Sequence, residues 1–283
     1  MKISVVTPVY NMERYIRETI ESVLAQRGDF DVEYTLVNDG SADSSEKIII
    51  DIKEKLAKGE IKASCRSFEL RYIHQQNQGM YAAINNGFAQ ATGDIFAWIG
   101  GDDLYYPDSA LQKIADWFAN NPESMWAKGI CGFIDDTGAE LRKGVFKSYY
   151  QDWLAKGIYG RESYFVEQES TFWRASLWKK VAPIPTTLRS AGDYWLGIQF
   201  AKHAPLDSVR EYTTRFRIRP GQISSQNAKY RAEQEVIMPT RSIAAYKVRL
   251  FSIATNKLRI LSPLWYVMFK CMFPTKTPFV EIR

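Results

Sequence analysis

The sequence predicts an α/β domain with a mostly parallel central sheet flanked by helices, followed by a helical C-terminal extension. Three observations carry that expectation. Over the first 120 residues, short apolar runs rich in β-branched side chains alternate four times with segments of helical periodicity. The runs at residues 2–7, 32–37 and 95–99 stop at proline or at asparagine, aspartate and glycine, as strands leading into loops do. A chain of 283 residues, 46% hydrophobic and 24% charged, has a globular composition and the length to bury a large core.

Taken in order, residues 2–7 form the first strand, and Pro8 ends it. Residues 12–26 place Tyr15, Ile16, Thr19, Ile20, Val23 and Leu24 at helical spacing. A second strand at 32–37 runs into Asn38, Asp39, Gly40 and Ser41, and a helix follows at 44–56. The polar stretch 59–67 reads as a surface excursion before a third strand at 70–74 and a third helix at 81–91. Residues 95–99 are apolar throughout, the mark of a strand buried on both faces, and end at Gly100, Gly101, Asp102 and Asp103. A helix at 109–120 stops at Asn121-Pro122. Beyond it the rhythm changes, with a hairpin over 130–146, short mixed elements to 202 and a strand at 209–218. Two helices, 227–253 and 257–273, follow Pro220-Gly221.

Composition narrows the function classes. Cys65, Cys131 and Cys271 are far apart and the histidines are only His74 and His203, so a Cys/His zinc site is excluded and the thiols read as reduced, cytoplasmic residues. His74 falls inside a strand and His203 at a helix end, both with structural explanations. The first strand begins at once, which argues against a signal peptide. The longest apolar-leaning uncharged run near the end, 260–269, is half of what a bilayer requires. Charge is asymmetric: residues 210–283 hold 14 Lys/Arg against 4 Asp/Glu, whereas residues 1–209 hold 23 against 28. A mildly acidic body thus carries a basic tail, without any recognisable nucleic-acid module.

The chemistry gathers at the strand ends, where open α/β sheets bind ligands. Each loop alone is explained by turn formation. Asp102 and Asp103 are harder to explain so, because adjacent carboxylates repel, whereas hard divalent cations take oxygen ligands and bridge to substrate phosphates. The strings PVYN, NDGS, NQGMYAAINNG and ATGDIFAWIGGDDLYYP, in that order, resemble an inverting family 2 glycosyltransferase of the GT-A fold, over residues 1–125 and more loosely to 225. The resemblance implies a nucleotide-diphosphate-sugar donor, with a UDP-sugar the commonest case, and Mn²⁺ or Mg²⁺. Pro8, Val9, Tyr10 and Asn11 would border base and ribose, Asp39 would bond the nucleobase, Gly79 would let the donor approach, and Asp102 would hold the metal. Two departures stand out: Gly100 replaces a carboxylate that often reaches the ribose, and Ile84 replaces a basic residue near the diphosphate.

On the acceptor side, Asp193 in the Gly192-Asp193-Tyr194-Trp195 stretch matches the family's catalytic base, with a helix N-cap as the plain alternative. A helix N-terminus would lower its pKa. Glu169, Trp195 and Asp103 are further candidates, Glu169 being either an acceptor ligand or a partner of Arg174. Arg217 and Arg219 resemble a loop that closes over the diphosphate and would supply the cation missing at Ile84. Tyr105, Tyr106, Trp153, Tyr159, Tyr164, Trp173 and Trp195 are candidate sugar platforms. The expected organisation is a glycosyltransferase domain over 1–225, divided into a donor half (1–125) and an acceptor half (126–225), and a basic amphipathic tail over 226–283. The implied acceptor is a glycan or a lipid-linked sugar, and residues 244–273 would lie on an anionic cytoplasmic membrane face, with packing onto the body or a dimer seam as the alternative. The alternatives are a sugar-phosphate nucleotidyltransferase, opposed by the glycine-free loop after the first strand, and a non-catalytic sugar-nucleotide-binding protein, favoured only by Gly100.

Overall fold

A computed structural model describes residues 1–160, 165–222 and 227–238. The expected helices beyond 238, with the proposed membrane segment 244–273, lie outside the described residues. The first half runs β1 (Lys2–Val9), α1 (Ile16–Leu24), β2 (Gly28–Asp39), α2 (Ser45–Ala57), β3 (Cys65–Gln75), α3 (Met80–Ala89) and β4 (Ile95–Trp98). A two-residue strand, β5 (Leu104–Tyr105), precedes α4 (Ala110–Asn120). The second half holds β6 (Trp126–Ile134), β7 (Glu140–Arg142), α5 (Gln151–Ala155), β8 (Thr171–Arg174), α6 (Ala175–Val181), α7 (Gly192–Ala201), β9 (Asp207–Arg217) and α8 (Asn227–Ile237).

One sheet joins the halves in the order β3-β2-β1-β4-β8-β6-β9-β5, with β7 paired to β6. Strands β3, β2, β1 and β4 are parallel. Beyond them β8 runs antiparallel to β4 and to β6, and β9 lies parallel to β6. The parallel half is the α/β sheet that the alternating pattern predicts. The expected surface excursion 59–67 is shorter than expected, because β3 begins at Cys65 and pairs with β2 from Gly28 onward.

Strand periodicity divides the core into two layers. On one face Ile3, Val5, Val32, Tyr34, Leu36, Ile95 and Ala97 meet α1, α2 and α4. On the other, Val6, Val37, Phe96 and Trp98 meet α3, α6 and α7. Helix α3 lies so close to β1 that a Cβ at Gly87 would come within 2.5 Å of Val6 Cγ1, which explains a glycine inside a helix. Two expected sugar platforms belong to this core rather than to a ligand surface: Tyr105 is 1% exposed and Trp173 is fully buried. Tyr164 lies outside the described residues. No described helix is long and apolar enough to cross a membrane.

Glu33 is the buried charge that ties the parallel strands together. It accepts from Ser4 Oγ (3.0 Å), Thr92 N (2.9 Å) and Thr92 Oγ1 (2.6 Å), and it pairs with Lys2 at 2.7 Å and Arg71 at 3.1 Å. Burial alone would raise its pKa, but the bonds from Lys2, Thr92 and Ser4 hold it at about 2. Glu33→Ala is expected to cost about 3 kcal/mol, the scale for breaking one side of a buried ionic cluster, read as a lower urea midpoint. Because the folded pKa is depressed, this stability is whole above about pH 4.5 and fades as pH falls toward about 2. Wild type and variant should therefore converge in acid, and a difference constant from pH 6 to pH 2.5 would rule the carboxylate out as its source.

Candidate active site

The carboxyl ends of β1, β2 and β4 share one rim, since Val9 pairs with Asn38 and Val6 with Trp98. The β1 and β2 loops are laced together across it. Asn11, at φ 53°, donates its backbone N–H to Ser41 Oγ (3.0 Å) and accepts from Ala42 N on Oδ1 (2.9 Å). Met12 N donates to Ser45 Oγ, Glu13 N to Asp43 and Ser44 N to Glu13, fixing the start of α2 against the entry to α1. Pro8 and Val9 are buried at the end of β1, while Tyr10 projects with 48% exposure.

Asp39 organises the next loop. Its Oδ1 accepts from Gln75 Nε2 and Gln78 N, and its Oδ2 from Gly79 N, all at 2.8 Å. This pulls residues 75–79 down to the rim and leaves Gly79 at φ 96° as the residue before α3. The positive φ is what requires glycine there; the end of the flexible Arg189 side chain lies over it, 2.5 Å from where a Cβ would stand.

After β4 the chain turns so tightly that a Cβ at Gly101 would contact Met12 and Pro8. Asp102 then lies at the rim, 13% exposed, with Oδ2 2.5 Å from Arg219 Nε. Its neighbour Asp103 points inward and accepts from Arg217 N at 2.9 Å. Burial, then the charges of Asp102 and Glu169, push the Asp103 carboxyl far above the usual range. Arg217 is fully buried. Its guanidinium donates to Asp102 O, Glu18 Oε2 and the carbonyls of Asp135 and Asp136. The expected pair of diphosphate cations thus divides: Arg217 braces the loop from inside, and Arg219 sits on Asp102. Among the described residues, no group of three His, Cys, Asp or Glu side chains is placed to hold a metal.

On the acceptor side, α7 begins at Gly192 with Ala191 as its cap residue, so Asp193 is not the N-cap. The expected lowering of its pKa is reversed. Burial raises the Asp193 carboxyl to about 6, against the opposing pull of the Tyr194 N–H and the Tyr230 hydroxyl. Both carboxylate oxygens lie 3.2 Å from Tyr230 Oη. Asp193 lines a small, partly open pocket with Leu154, Tyr159, Phe165, Tyr194 and Tyr230. Glu169 is buried elsewhere and accepts from Cys131 Sγ at 2.9 Å, while Arg174 donates to backbone carbonyls of residues 118, 121 and 124. The anticipated Glu169–Arg174 pairing is therefore replaced by a thiol contact, and burial raises Glu169 to about 7. Trp195 packs partly buried against the second core layer.

Helix α3 connects these two regions. Tyr81 Oη accepts from Gly192 N at 2.7 Å, Asn85 exchanges two bonds with the backbone of Ile184, and Arg189 donates to Gln78 O at 3.3 Å. Sequence patterning missed Tyr81, Arg189, Tyr230 and Glu233 because each works on a segment tens of residues away.

The profile of glycosyl transferase family 2 matches residues 4–172. An uncharacterized glycosyltransferase of Rickettsia typhi is 25% identical over 238 residues, 83% of this chain and 70% of its own length. An uncharacterized glycosyltransferase of Nostoc is 42% identical over 118 residues, 42% of this chain and 33% of its own length. In Rickettsia bellii a further one is 38% identical over 141 residues, 49% of this chain and 18% of its own length, so the chain spans a third or less of these last two relatives. Among solved structures, S. aureus TarS 1-349 in complex with UDP-GlcNAc superposes with a TM-score of 0.61 at 17% identity, covering 94% of this chain and 78% of that one. Mannosyltransferase PcManGT from Pyrobaculum calidifontis, in complex with GDP-Man and Mn²⁺, gives 0.59 at 16% identity, covering 93% and 71%. The fold is that of GT-A glycosyltransferases.

Asp39→Asn tests the rim's architecture independently of any ligand. The amide leaves at least one of the three donors facing an N–H, at a cost of about 1–3 kcal/mol for a buried unpaired group. Hydrogen exchange at the Gln78 and Gly79 amides should accelerate by about tenfold or more, while the β1 amides stay protected. Unchanged exchange at residues 78 and 79 would show that the loop holds without Asp39.

Proposed function

This chain belongs to glycosyl transferase family 2, and we propose that it transfers a sugar, with inversion, from a nucleoside-diphosphate donor to a hydroxyl of a glycan or lipid-linked acceptor. A UDP-sugar is the first donor to test, and bacterial polysaccharide assembly the setting in which such acceptors arise. What carries the assignment is Asp193: a carboxylate with a pKa of about 6, at the head of α7, facing an aromatic pocket and bonded through α3 to the loops at the sheet's rim. A general base works best with a pKa near the operating pH, and at pH 7 a group of pKa about 6 is roughly 90% ionised.

In this assignment Pro8, Val9, Tyr10 and Asn11 border the base and ribose, and Asp39 bonds the nucleobase while also holding the 75–79 loop. Gly79 lets the backbone come close to the donor at the start of α3, with Arg189, now bonded to Gln78 O above it, moving aside. Asp193 takes the proton of the acceptor hydroxyl, whose oxygen attacks the anomeric carbon opposite the leaving group; the bond to the diphosphate breaks, the configuration inverts and no enzyme-bound sugar forms. Asp102 would be the carboxylate that holds a divalent cation of the hard, oxygen-seeking kind. Bound there, Mn²⁺ or Mg²⁺ would stabilise the charge of the departing nucleoside diphosphate. Arg219 would exchange its bond to Asp102 for the diphosphate. On its sequence alone, the basic and aromatic segment 244–273 is assigned to an anionic membrane face.

A thermal-shift panel of UDP-, GDP-, CMP- and dTDP-sugars, with and without Mn²⁺, identifies the donor because a ligand specific to the native state raises Tm. With the donor known, Asp193→Asn should bind it normally and lose transfer by about two to four orders of magnitude. Parallel loss of donor binding would place Asp193 in the nucleotide site instead. Asp102→Ala should keep the melting temperature of the free protein but lose the Mn²⁺-dependent part of the donor-induced shift. A variant that keeps that part removes Asp102 as the metal ligand.

A further inference from the structure

Helix α8 lies across the head of α7 and accounts for its backbone donors together with Asp193. A helix begins with N–H groups that have no partner within the helix. Here the N–H groups of residues 189, 190 and 191 all donate to the Glu233 carboxylate, at 2.7, 2.9 and 2.7 Å. Gly192 N donates to Tyr81 Oη. The N–H groups of 193 and 194 are left to act on the Asp193 carboxylate itself, whose two oxygens also accept from Tyr230. Tyr230 and Glu233 stand three residues apart on α8, hence on one face. Gln234 beside them is 1% exposed and anchors the same face by donating to Gly160 O at 3.1 Å.

We propose that Tyr230 and Glu233 of α8 are positioning residues for Asp193, the hydroxyl fixing the carboxylate while the glutamate claims the backbone donors at the head of α7 and sets a second negative charge beside it. This rests on Asp193 being the base. The two residues act in opposite directions. A donor to the ionised carboxylate stabilises it, whereas a neighbouring anion that also takes the cap N–H of Ala191 and the two N–H groups before it opposes it. Apart from the N–H groups of residues 193 and 194, the other groups around Asp193 do not supply these effects. Tyr81 on α3 is a phenol held far above its usual pKa by burial and by Asp193. Tyr194 on α7 donates to Gly157 O. Asp152 and Lys156, on α5 and just after it, face each other at 3.4 Å, and Lys179 and Lys180 of α6 are exposed. Arg189, just before α7, points its guanidinium to Gln78 O.

The test is a direct titration of Asp193 in the full chain, by ¹³C NMR of carboxyl-labelled aspartate, with the resonance assigned by its loss in Asp193→Asn. The wild-type midpoint is expected near pH 6. Tyr230→Phe should raise it by about one unit, a tenfold weaker acid, and Glu233→Gln should lower it by about half a unit to one unit. Opposite displacements are the signature, since general loosening of α8 would admit water and move both variants downward together. Midpoints that stay within about 0.2 units, or that move the same way, overturn the positioning role. Melting temperatures identify a variant that does not fold, and Tyr230→Phe, which removes one oxygen, decides the matter if Glu233→Gln fails. The underlying assignment fails separately: near-native transfer by Asp193→Asn would remove Asp193 as the base whatever the titrations show.

Discussion

Helix α3 is ten residues long, about 15 Å, and both sides of the site are referred to it. Its start is set by the Asp39 carboxylate, which draws down the N–H groups of Gln78 and Gly79. Its flank is set by Gly87 lying against Val6 on β1. From the opposite flank Tyr81 and Asn85 reach out to Gly192 and Ile184, so the segment carrying Asp193 is bonded to the helix that begins at the donor rim. Long-range placement thus reduces to a few bonds from one rigid element.

Buried charge is abundant around this frame, and its partners decide what each group does. Asp193 and Glu169 are both raised by burial, to about 6 and about 7. Yet Glu169 meets the Cys131 thiol inside the protein, and Asp193 meets a pocket. A displaced pKa alone would have nominated both; geometry separates them. Arg217 illustrates the same point for cations. A fully buried guanidinium with carbonyl and carboxylate acceptors around it is part of the scaffold, whereas Arg219, two residues on, remains at the rim.

The parallel half of the sheet was legible because β1 and β4 are mostly apolar runs, β2 carries an apolar and aromatic stretch at 32–37, and their helices carry one-sided periodicity. The boundaries moved where polar residues pair within strands, as Arg66 and Ser67 do with Asp31. Strand β5, two residues long, has no sequence signal of its own. At the site, the rim loops stood out through their unusual asparagine, aspartate and glycine content. The direction in which Asp103 and Arg217 turn did not, since it depends on β9 meeting β5 and the loop after β4. Nor could local pattern reveal Tyr230 and Glu233, whose partners lie about 40 residues upstream; a helix that looked like the start of the tail proves to be docked on the body.

The sheet ends differently on its two sides, and both ends discourage association with other chains. At one side the last strand, β5, is only two residues long and offers almost no ladder to extend. At the other, β3 runs for eleven residues and has no further strand beside it among the described residues, but Arg66, Glu69, Arg71 and His74 punctuate it with groups that resist burial against a second copy. Arg66 pairs with Asp29 and Asp31, and Arg71 with Glu33, on the neighbouring strand, which keeps the two arginines spread along the border. A charged margin of this kind guards a sheet edge against pairing with another strand while leaving its loop-bearing rim free for ligands.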